Sequence, residues 1–417
     1  MGESLLIYCS LGNEDHLVGN LWTHASKGRQ SATFEYSKHW IDYENAFALE
    51  PALPLVRGTF QTEPGLSMFR SITDSAPDRW GRMLMQSRER KAAKKKGSTP
   101  RTLLESDYVL QVNDTARHGA LRYCYSEEKF FLSSDNIDPI PPLIQLQKLL
   151  SASNRIQNKK ENDDDINLLI APGASLGGAR PKANVIGSNK ELMIAKFPFH
   201  LDEYDMQKWE AVALILANQA GIKVSPFHIM PVRNQSVLLM TRFDRKNNHR
   251  IPFASALTML GAKDNEQRSY LEIADILRSY GSSSKKDLKE LFTRIIFSIL
   301  ISNVDDHLRN HGFLKDSVGW HLSPAYDLNP TPVDLKARIL STCIDFDNPV
   351  ASIDIAFDVC EYFDLKINQA RDIAFNVATI VKNWRKIAAN YGIMPVEIER
   401  MSSAFEHEEL EMCLKLT

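Results

Sequence analysis

Residues 302–314 read SNVDDHLRNHGFL and follow an apolar segment with helical spacing, residues 289–303. Within this stretch Asn310 comes five residues after Asp305. Phosphoryl transfer needs a group that orients the attacking hydroxyl and accepts its proton, and a neutral oxygen ligand that helps to hold Mg²⁺. An Asp and an Asn at this spacing on one loop supply both. The same two residues also fit an ordinary turn after a helix, because Asp and Asn favour turns.

A second carboxylate follows at a distance that suits a metal site. Asp327 lies in PAYDL, residues 324–328, seventeen residues after Asn310. Magnesium prefers hard oxygen ligands, so this carboxylate is the candidate for the remaining metal position.

Three weaker features precede the loop. SLGGARPK, residues 175–182, is rich in small residues that allow backbone N–H groups to approach phosphates, yet it also fits a glycine turn entering a strand. Lys196 stands alone in the apolar stretch LMIAKF and must reach solvent or meet an anion. Glu210, fourteen residues on, is either its helix partner, as in kinases, or a solvated helix residue. The serial order of all these features indicates a protein-kinase-like fold.

The hydrophobic pattern divides the chain near residue 245. Before that point it predicts short strands, a helix beginning near Asp78, and a polar linker or mobile loop at Ser151–Asp165. After it, helical spacing dominates, and no convincing strand pair is found beyond residue 255. We therefore predict an α+β, two-lobed, kinase-like fold with a mixed, β-rich N-terminal lobe and an all-helical C-terminal lobe. The predicted strands are Leu5–Ser10, Val18–Trp22, Ala32–Tyr36, Ala183–Ile186, Glu191–Phe197, Val224–Met230 and Val237–Arg242, and the predicted helices are 203–220, 265–279, 285–302, 351–363, 367–391 and 395–414.

Composition narrows the function classes. The 417 residues are 43% hydrophobic with a net charge of −2, which indicates a globular protein and argues against nucleic-acid binding over the whole surface. No apolar run approaches the length of a membrane helix, so a soluble protein with no membrane contact is expected. Five scattered cysteines without a CxxC pair favour a reducing cytoplasm. The basic segment 88–101 is either a solvated helix end or a contact for nucleic acid or a partner.

Several of these motifs together resemble a known family. SLGGARPK, AKFP, TRFDR (241–245), NVDDHLRN (303–310) and PAYDL are similar to motifs of the HipA family of bacterial serine/threonine kinases, the toxins of type II toxin–antitoxin modules. The N-terminal third agrees, notably in PDRWGR at 77–82. The resemblance implies the division 1–150 for the HipA N-terminal region, 151–245 for the rest of the N-lobe and 246–417 for the helical C-lobe.

The resemblance also assigns roles to matching residues. Asp305 matches the catalytic base, Asn310 and Asp327 match the metal ligands, and Glu210 stays a possible partner of Lys196. Ser175 matches a position that becomes autophosphorylated, and the alternative is an ordinary turn serine. The positions implied for ATP binding are Gly177, Gly178, Ala179, Arg180, Pro181, Lys182, Lys196, Thr241, Arg242, Phe243, His307, Leu308, Arg309, Asn310, Tyr326 and Asp327.

Three departures from the family pattern stand out. Thr241 replaces a usually acidic residue, Arg309 stands where Lys is frequent, and Pro181 removes one N–H from the phosphate loop. None of them removes the base or a metal ligand, so an active enzyme is expected.

The implied function is ATP- and Mg²⁺-dependent phosphorylation of a protein serine or threonine. The family's substrate class is an aminoacyl-tRNA synthetase, and its partner is a small helix-turn-helix antitoxin through which any DNA contact would come. A different reading is a kinase-shaped binding module that represses transcription with the antitoxin and has little turnover. A metal-dependent hydrolase built on Asp305, Asp306 and His307 is a third, less favoured because adjacent residues do not easily converge on one metal.

Overall fold

The structure is a computed structural model, and it describes residues 4–26, 28–125, 130–133, 140–170 and 178–416. The chain forms two compact units. The first comprises residues 1–201 and 232–254, and the second comprises residues 202–231 and 255–417.

A five-stranded antiparallel sheet opens the first unit. Alternate residues of its third strand, Ala32, Phe34 and Tyr36, are buried, as expected for a strand with one face on a core. The three strands predicted here are confirmed, and each is longer than the sequence pattern indicated. In spatial order the strands are Thr59–Gln61, Arg29–Tyr36, Glu14–Ser26, Ser4–Leu11 and Leu121–Cys124.

Six helices of the first unit lie among the described residues. The longest begins where the sequence predicted, because Asp78 caps it by accepting a 2.9 Å hydrogen bond from the Gly81 N–H. It ends at Gly97, which adopts a left-handed conformation with φ of 63°. The helices are Lys38–Ile41, Arg70–Thr73, Arg79–Lys96, Glu105–Gln111, Leu146–Gln157 and Asp163–Ile170.

The linker or mobile loop predicted at Ser151–Asp165 was wrong. Most of it belongs to the helices Leu146–Gln157 and Asp163–Ile170. The apolar residues of the first helix lie on one buried face, and several of them precede residue 151. The Arg155 Nε donates a 2.8 Å hydrogen bond to Asp165 Oδ2. The polar composition therefore belongs to the outer faces of two packed helices.

A second sheet of the first unit carries the glycine-rich segment and the strand lysine. Its strands Lys182–Ile186, Leu192–Lys196 and Gln235–Thr241 are antiparallel, and Leu192–Lys196 lies between the other two. The predicted strands Ala183–Ile186 and Glu191–Phe197 are confirmed, and they pair as a hairpin across residues 187–190. The short pair Arg245–Lys246 and His249–Arg250 follows. The strands Phe227–Val232 and Phe253–Ser255 each lie where the chain passes from one unit to the other.

Helices make up most of the second unit. Leu288, Phe292 and Ile295 of the helix Ser284–Leu300 have no exposed surface and form its centre. The pattern at 367–391 is interrupted at Asn383 and gives two helices instead of one. The helices are Met206–Gln219, Ala256–Met259, Tyr270–Tyr280, Ser284–Leu300, Ile353–Asp358, Ile367–Val381, Trp384–Asn390, Pro395–Arg400, Ser402–Phe405 and Glu408–Leu414.

The second unit contains a short strand pair. The sequence had predicted an all-helical C-terminal lobe with no strand pair after residue 255. Gly312–Lys315 and Trp320–Leu322 form an antiparallel hairpin. Its turn is held by Asp316, whose Oδ1 accepts hydrogen bonds from the N–H groups of Val318 and Gly319, at 2.8 and 2.7 Å. Strands of four and three residues are too short for their pattern to stand out in a sequence. The α+β class stands.

Across the described residues, no helix combines the length and the apolar character that crossing a membrane would require.

Candidate active site

The loop between the helix Ser284–Leu300 and the hairpin carries the predicted catalytic pair. The Asn310 Nδ2 donates a 3.0 Å hydrogen bond to the Asp305 carbonyl oxygen and so closes the loop on itself. The Asp305 side chain is 68% exposed, while Asn310 is only 5% exposed. The loop thus presents the carboxylate to the outside and keeps the amide beneath it.

The other end of the Asn310 amide has no hydrogen-bond partner among the described residues. Its Oδ1 is buried and accepts no hydrogen bond from the part of the chain that the structure describes. Leaving a buried acceptor unsatisfied costs about 1–3 kcal/mol, so such an atom calls for an explanation. A neutral amide oxygen is a ligand that suits Mg²⁺, and a metal ion at this position would satisfy it.

The loop that contains Asp327 is hydrogen-bonded to the catalytic loop. The Tyr326 hydroxyl donates to the Arg309 carbonyl oxygen at 2.6 Å. The Asn329 N–H donates to Asn303 Oδ1 at 3.1 Å. Asp327 itself has a positive φ of 60°, which Asp tolerates better than most residues. The second unit therefore joins the loops of the predicted base and of both predicted metal ligands.

Asp306 stabilises the catalytic loop through its buried side chain. It is buried, accepts a 2.5 Å hydrogen bond from the Tyr270 hydroxyl, and lies 3.2 Å from His311 Nε2. Burial alone would raise the pKa of Asp306, but the neighbouring His311 and Tyr270 lower it below its ordinary value. Because Asp305 is exposed and Asp306 is buried, their carboxylates do not share one metal. Across the described residues, no group of three His, Cys, Asp or Glu side chains could hold a metal ion.

The remaining residues of the loop have distinct surroundings. His307, Leu308 and Arg309 were predicted to line the nucleotide phosphates, and Leu308–Asn310 forms a single 3₁₀ turn. The Arg309 guanidinium binds Asp264, with Nε 2.7 Å from Oδ1. A different cation lies beside the predicted base, because Lys336 Nζ is 3.4 Å from Asp305 Oδ1. Sequence reasoning missed Lys336, since 31 residues separate the pair.

In the first unit, Lys182 and Lys196 are directly opposite each other in the register of the hairpin. The Lys182 Nζ donates a 2.7 Å hydrogen bond to Asp78 Oδ2, with the two side chains 5% and 6% exposed. Asp78 belongs to PDRWGR, so this motif both caps a helix and anchors the end of the glycine-rich segment. Gly178, Ala179, Arg180 and Pro181 lead directly into this strand. Gly177 and Ser175 lie outside the described residues.

The predicted hinge, Thr241 to Phe243, ends the strand Gln235–Thr241. The Arg242 side chain is buried, and its Nη1 donates to the Ala116 carbonyl oxygen and to Asn184 Oδ1, at 2.5 and 2.9 Å. The Arg242 N–H donates to the Leu192 carbonyl oxygen at 3.0 Å. The backbone N–H of Arg242 is therefore already used within the sheet, and the predicted contact of the hinge with adenine stays a prediction.

Asp244, which sequence reasoning passed over, is the centre of this buried network. Its carboxylate accepts hydrogen bonds from Arg242 Nε at 2.8 Å, Arg245 Nη1 at 2.7 Å and the Gly119 N–H at 2.8 Å. Burial would raise the pKa of Asp244, but the guanidinium groups of Arg242 and Arg245 hold it well below its usual range. The network therefore fixes the hinge against residues 116–119 of the same unit.

With this geometry described, comparison with known proteins decides the family. Residues 174–402 match the family model described as the HipA-like C-terminal domain, and residues 12–105 match the HipA N-terminal domain. The first match alone spans more than half of the chain. The chain belongs to the HipA family. The two matches cover the catalytic loop, the hinge and the PDRWGR motif.

The individual relatives are distant in sequence. A Sinorhizobium fredii protein named "Putative kinase Y4mE" is 23% identical over 327 residues, covering 72% of each chain. A Haemophilus influenzae protein named "Putative kinase" is 30% identical over 118 residues, covering 25% of this chain and 34% of that protein. A solved complex of Shewanella oneidensis HipA with HipB and operator DNA contains a chain that superposes with a TM-score of 0.66 at 17% identity, covering 98% of this chain and 96% of that one. The last comparison confirms the fold.

Glu210 of this HipA-family chain is buried, at 4% exposed, on the helix Met206–Gln219. That position excludes the reading of a solvated helix residue. Its predicted pairing with Lys196 stays a prediction.

Proposed function

We propose that the protein is an ATP- and Mg²⁺-dependent serine/threonine protein kinase and the toxin of a toxin–antitoxin module. The observation that carries this proposal is the buried Asn310 Oδ1, which accepts no hydrogen bond from the described residues and belongs to a loop that exposes Asp305 and is joined to the loop of Asp327. Membership of the HipA family and relatives named as kinases agree with it.

In the proposed reaction Asp305 aligns a serine or threonine hydroxyl of the substrate. The hydroxyl oxygen bonds to the γ-phosphorus of ATP, the bond from that phosphorus to the bridging oxygen of ADP breaks, and the hydroxyl proton passes to the Asp305 carboxylate. Asp305 is well exposed and can reach a protein substrate. Asn310 and Asp327 would hold Mg²⁺, which supplies charge neutralisation for the phosphate oxygens.

Lys196 would bind the phosphates of ATP, and Thr241 or Phe243 would hold adenine through the backbone. Phosphorylation of Ser175 is proposed as the regulatory step. A phosphoserine adds about −1.5 to −2 charge at pH 7 beside a loop that receives the phosphates of ATP, and so would disfavour ATP.

The substrate class proposed is an aminoacyl-tRNA synthetase, with arrest of translation as the consequence, and the location is the cytoplasm. The proposed partner is a small DNA-binding antitoxin. The Shewanella complex of HipA with HipB and operator DNA supports this partner, and the net charge of −2 supports DNA contact through the partner instead of directly.

The same complex favours a second candidate function, a corepressor that binds nucleotide without turnover. Incubation of the purified chain with Mg²⁺, γ-labelled ATP and a protein extract separates the two. The kinase proposal expects labelled protein with wild type and at least a hundredfold less with Asp305→Ala at unchanged ATP affinity. ATP binding without label in either protein would favour the corepressor.

A further inference from the structure

Two asparagines outside the predicted site link the catalytic loop to the Asp327 loop. Asn303 has no exposed surface, and its Oδ1 accepts the 3.1 Å hydrogen bond from the Asn329 N–H. The Asn303 Nδ2 donates to Ser298 Oγ at 3.4 Å, and its N–H donates to the Ser298 carbonyl oxygen at 2.9 Å. One end of the Asn303 amide therefore holds the helix Ser284–Leu300 and the other holds the Asp327 loop.

Asn329 continues this connection to Asp327 itself. Its Nδ2 donates to the Asp327 carbonyl oxygen at 3.1 Å and makes a longer contact, 3.4 Å, to Asp327 Oδ1. A donor that touches both the backbone and the carboxylate of one residue restricts where that carboxylate can point. This restriction matters most at Asp327, because a residue with a positive φ has few neighbouring conformations that cost little.

A second backbone contact holds the same two segments together. The Thr331 N–H donates to the Ser302 carbonyl oxygen at 3.2 Å, and the Ser302 hydroxyl donates to the Ala404 carbonyl oxygen at 2.9 Å. Because the backbone contact survives loss of the Asn329 side chain, that side chain can be removed without separating the two segments. The Asn329 side chain is therefore separable from the fold of the loops.

We propose that Asn303 and Asn329 are positioning residues that fix the metal-binding carboxylate of Asp327 relative to Asp305 and Asn310. An amide suits the Asn303 position because it must donate to Ser298 and accept from Asn329 at once. Groups that orient a metal ligand through a hydrogen bond typically contribute about ten- to a hundredfold in metal affinity or activity. This inference rests on the proposed kinase function and adds residues that set its metal affinity.

The test measures metal binding directly. Mn²⁺, as a spectroscopic substitute for Mg²⁺, is titrated into each protein with ADP present, and free Mn²⁺ is followed by electron paramagnetic resonance. Asn329→Ala and Asn303→Ala are expected to weaken Mn²⁺ binding by about tenfold or more. Asn383→Ala serves as the matched control, because that exposed amide donates only within its own chain segment, to the Thr379 and Ile380 carbonyl oxygens.

A parallel measurement gives the Mg²⁺ concentration for half-maximal phosphotransfer. It is expected to rise by the same factor in both variants, while the KM for ATP at saturating Mg²⁺ stays within about twofold of wild type. The effects of the two substitutions should not add, because both residues act through the same chain of hydrogen bonds. The Mn²⁺ affinity of the double variant should therefore lie within about threefold of that of the more impaired single variant.

The outcomes separate this inference from the function on which it rests. If wild type binds no Mn²⁺ with ADP and transfers no phosphate, the kinase proposal fails. If wild type does both and the asparagine variants match Asn383→Ala, the positioning role is refuted while the kinase proposal stands. Should Asn303→Ala not fold, the result for Asn329→Ala decides alone, since neither the Asn329 N–H contact to Asn303 nor the Thr331 N–H contact to Ser302 involves the deleted amide.

Discussion

Removal of the charge on Asp244 tests whether the buried ionic network holds the hinge. In Asp244→Asn the side chain keeps its shape, but an NH₂ group comes to face guanidinium donors, and the charges of Arg242 and Arg245 lose their buried counterion. Breaking a buried ion pair on one side costs about 3–5 kcal/mol, because the remaining charge stays desolvated. For a unit of this size each kcal/mol lowers the melting temperature by about 2–4 °C, which gives a decrease of about 6–20 °C.

The assay is thermal unfolding of the full chain, followed by circular dichroism at pH 7. Asp275→Asn is the matched control, because Asp275 also pairs with an arginine, Arg278, at 3.0 Å but is 68% exposed. Exposed pairs contribute at most about 1 kcal/mol, so the control should melt within a few degrees of wild type. The reasoning fails if Asp244→Asn melts as close to wild type as the control does.

Three further predictions concern other residues of the two units. Burial lowers the pKa of His118 to about 3. Below about pH 6.5 His118 is therefore protonated in the unfolded chain but stays neutral in the folded chain. Unfolding free energy should therefore fall by up to about 1.4 kcal/mol per pH unit between pH 6 and 4, and His118→Gln should flatten this slope in urea titrations. Lys196→Ala should raise the KM for ATP more than it lowers the melting temperature, and the reverse pattern would make Lys196 structural. Lys336→Met should change kcat by no more than about fivefold, because an exposed ion pair is worth up to about 1 kcal/mol, while the exposed Lys289→Met should leave kcat unchanged.

Local features of the sequence predicted the fold well where the relevant residues are close together in the chain. The hairpin 182–196 follows from two apolar runs around a four-residue turn, and the helix beginning near Asp78 was predicted from the helix-start residues Asp74, Ser75 and Pro77 before it. The linker at 151–165 was wrong because the window joined the end of one helix to the start of the next. The solvent-exposed faces of these two helices are polar, and a polar composition alone does not distinguish them from a loop.

The parts of the site that could not be predicted depend on distant residues. Asp244 meets Gly119 across 125 positions, and Lys336 meets Asp305 across 31. A sequence shows that TRFDR alternates charges, but it does not show that they are buried. The spacing of Asp305 and Asn310 predicted the loop, whereas the unsatisfied Oδ1 of Asn310 emerges only after folding.

The central claim is that the loop of Asp305 and Asn310 transfers phosphate with Mg²⁺. The most direct test is single-turnover transfer from γ-labelled ATP to protein as a function of Mg²⁺ concentration, for wild type, Asp305→Asn and Asn310→Leu. We expect Mg²⁺-dependent transfer by wild type, at least a hundredfold slower transfer by Asp305→Asn with unchanged Mg²⁺ dependence, and a much higher Mg²⁺ requirement in Asn310→Leu. Transfer at the wild-type rate and with the wild-type Mg²⁺ requirement in both variants would contradict the account.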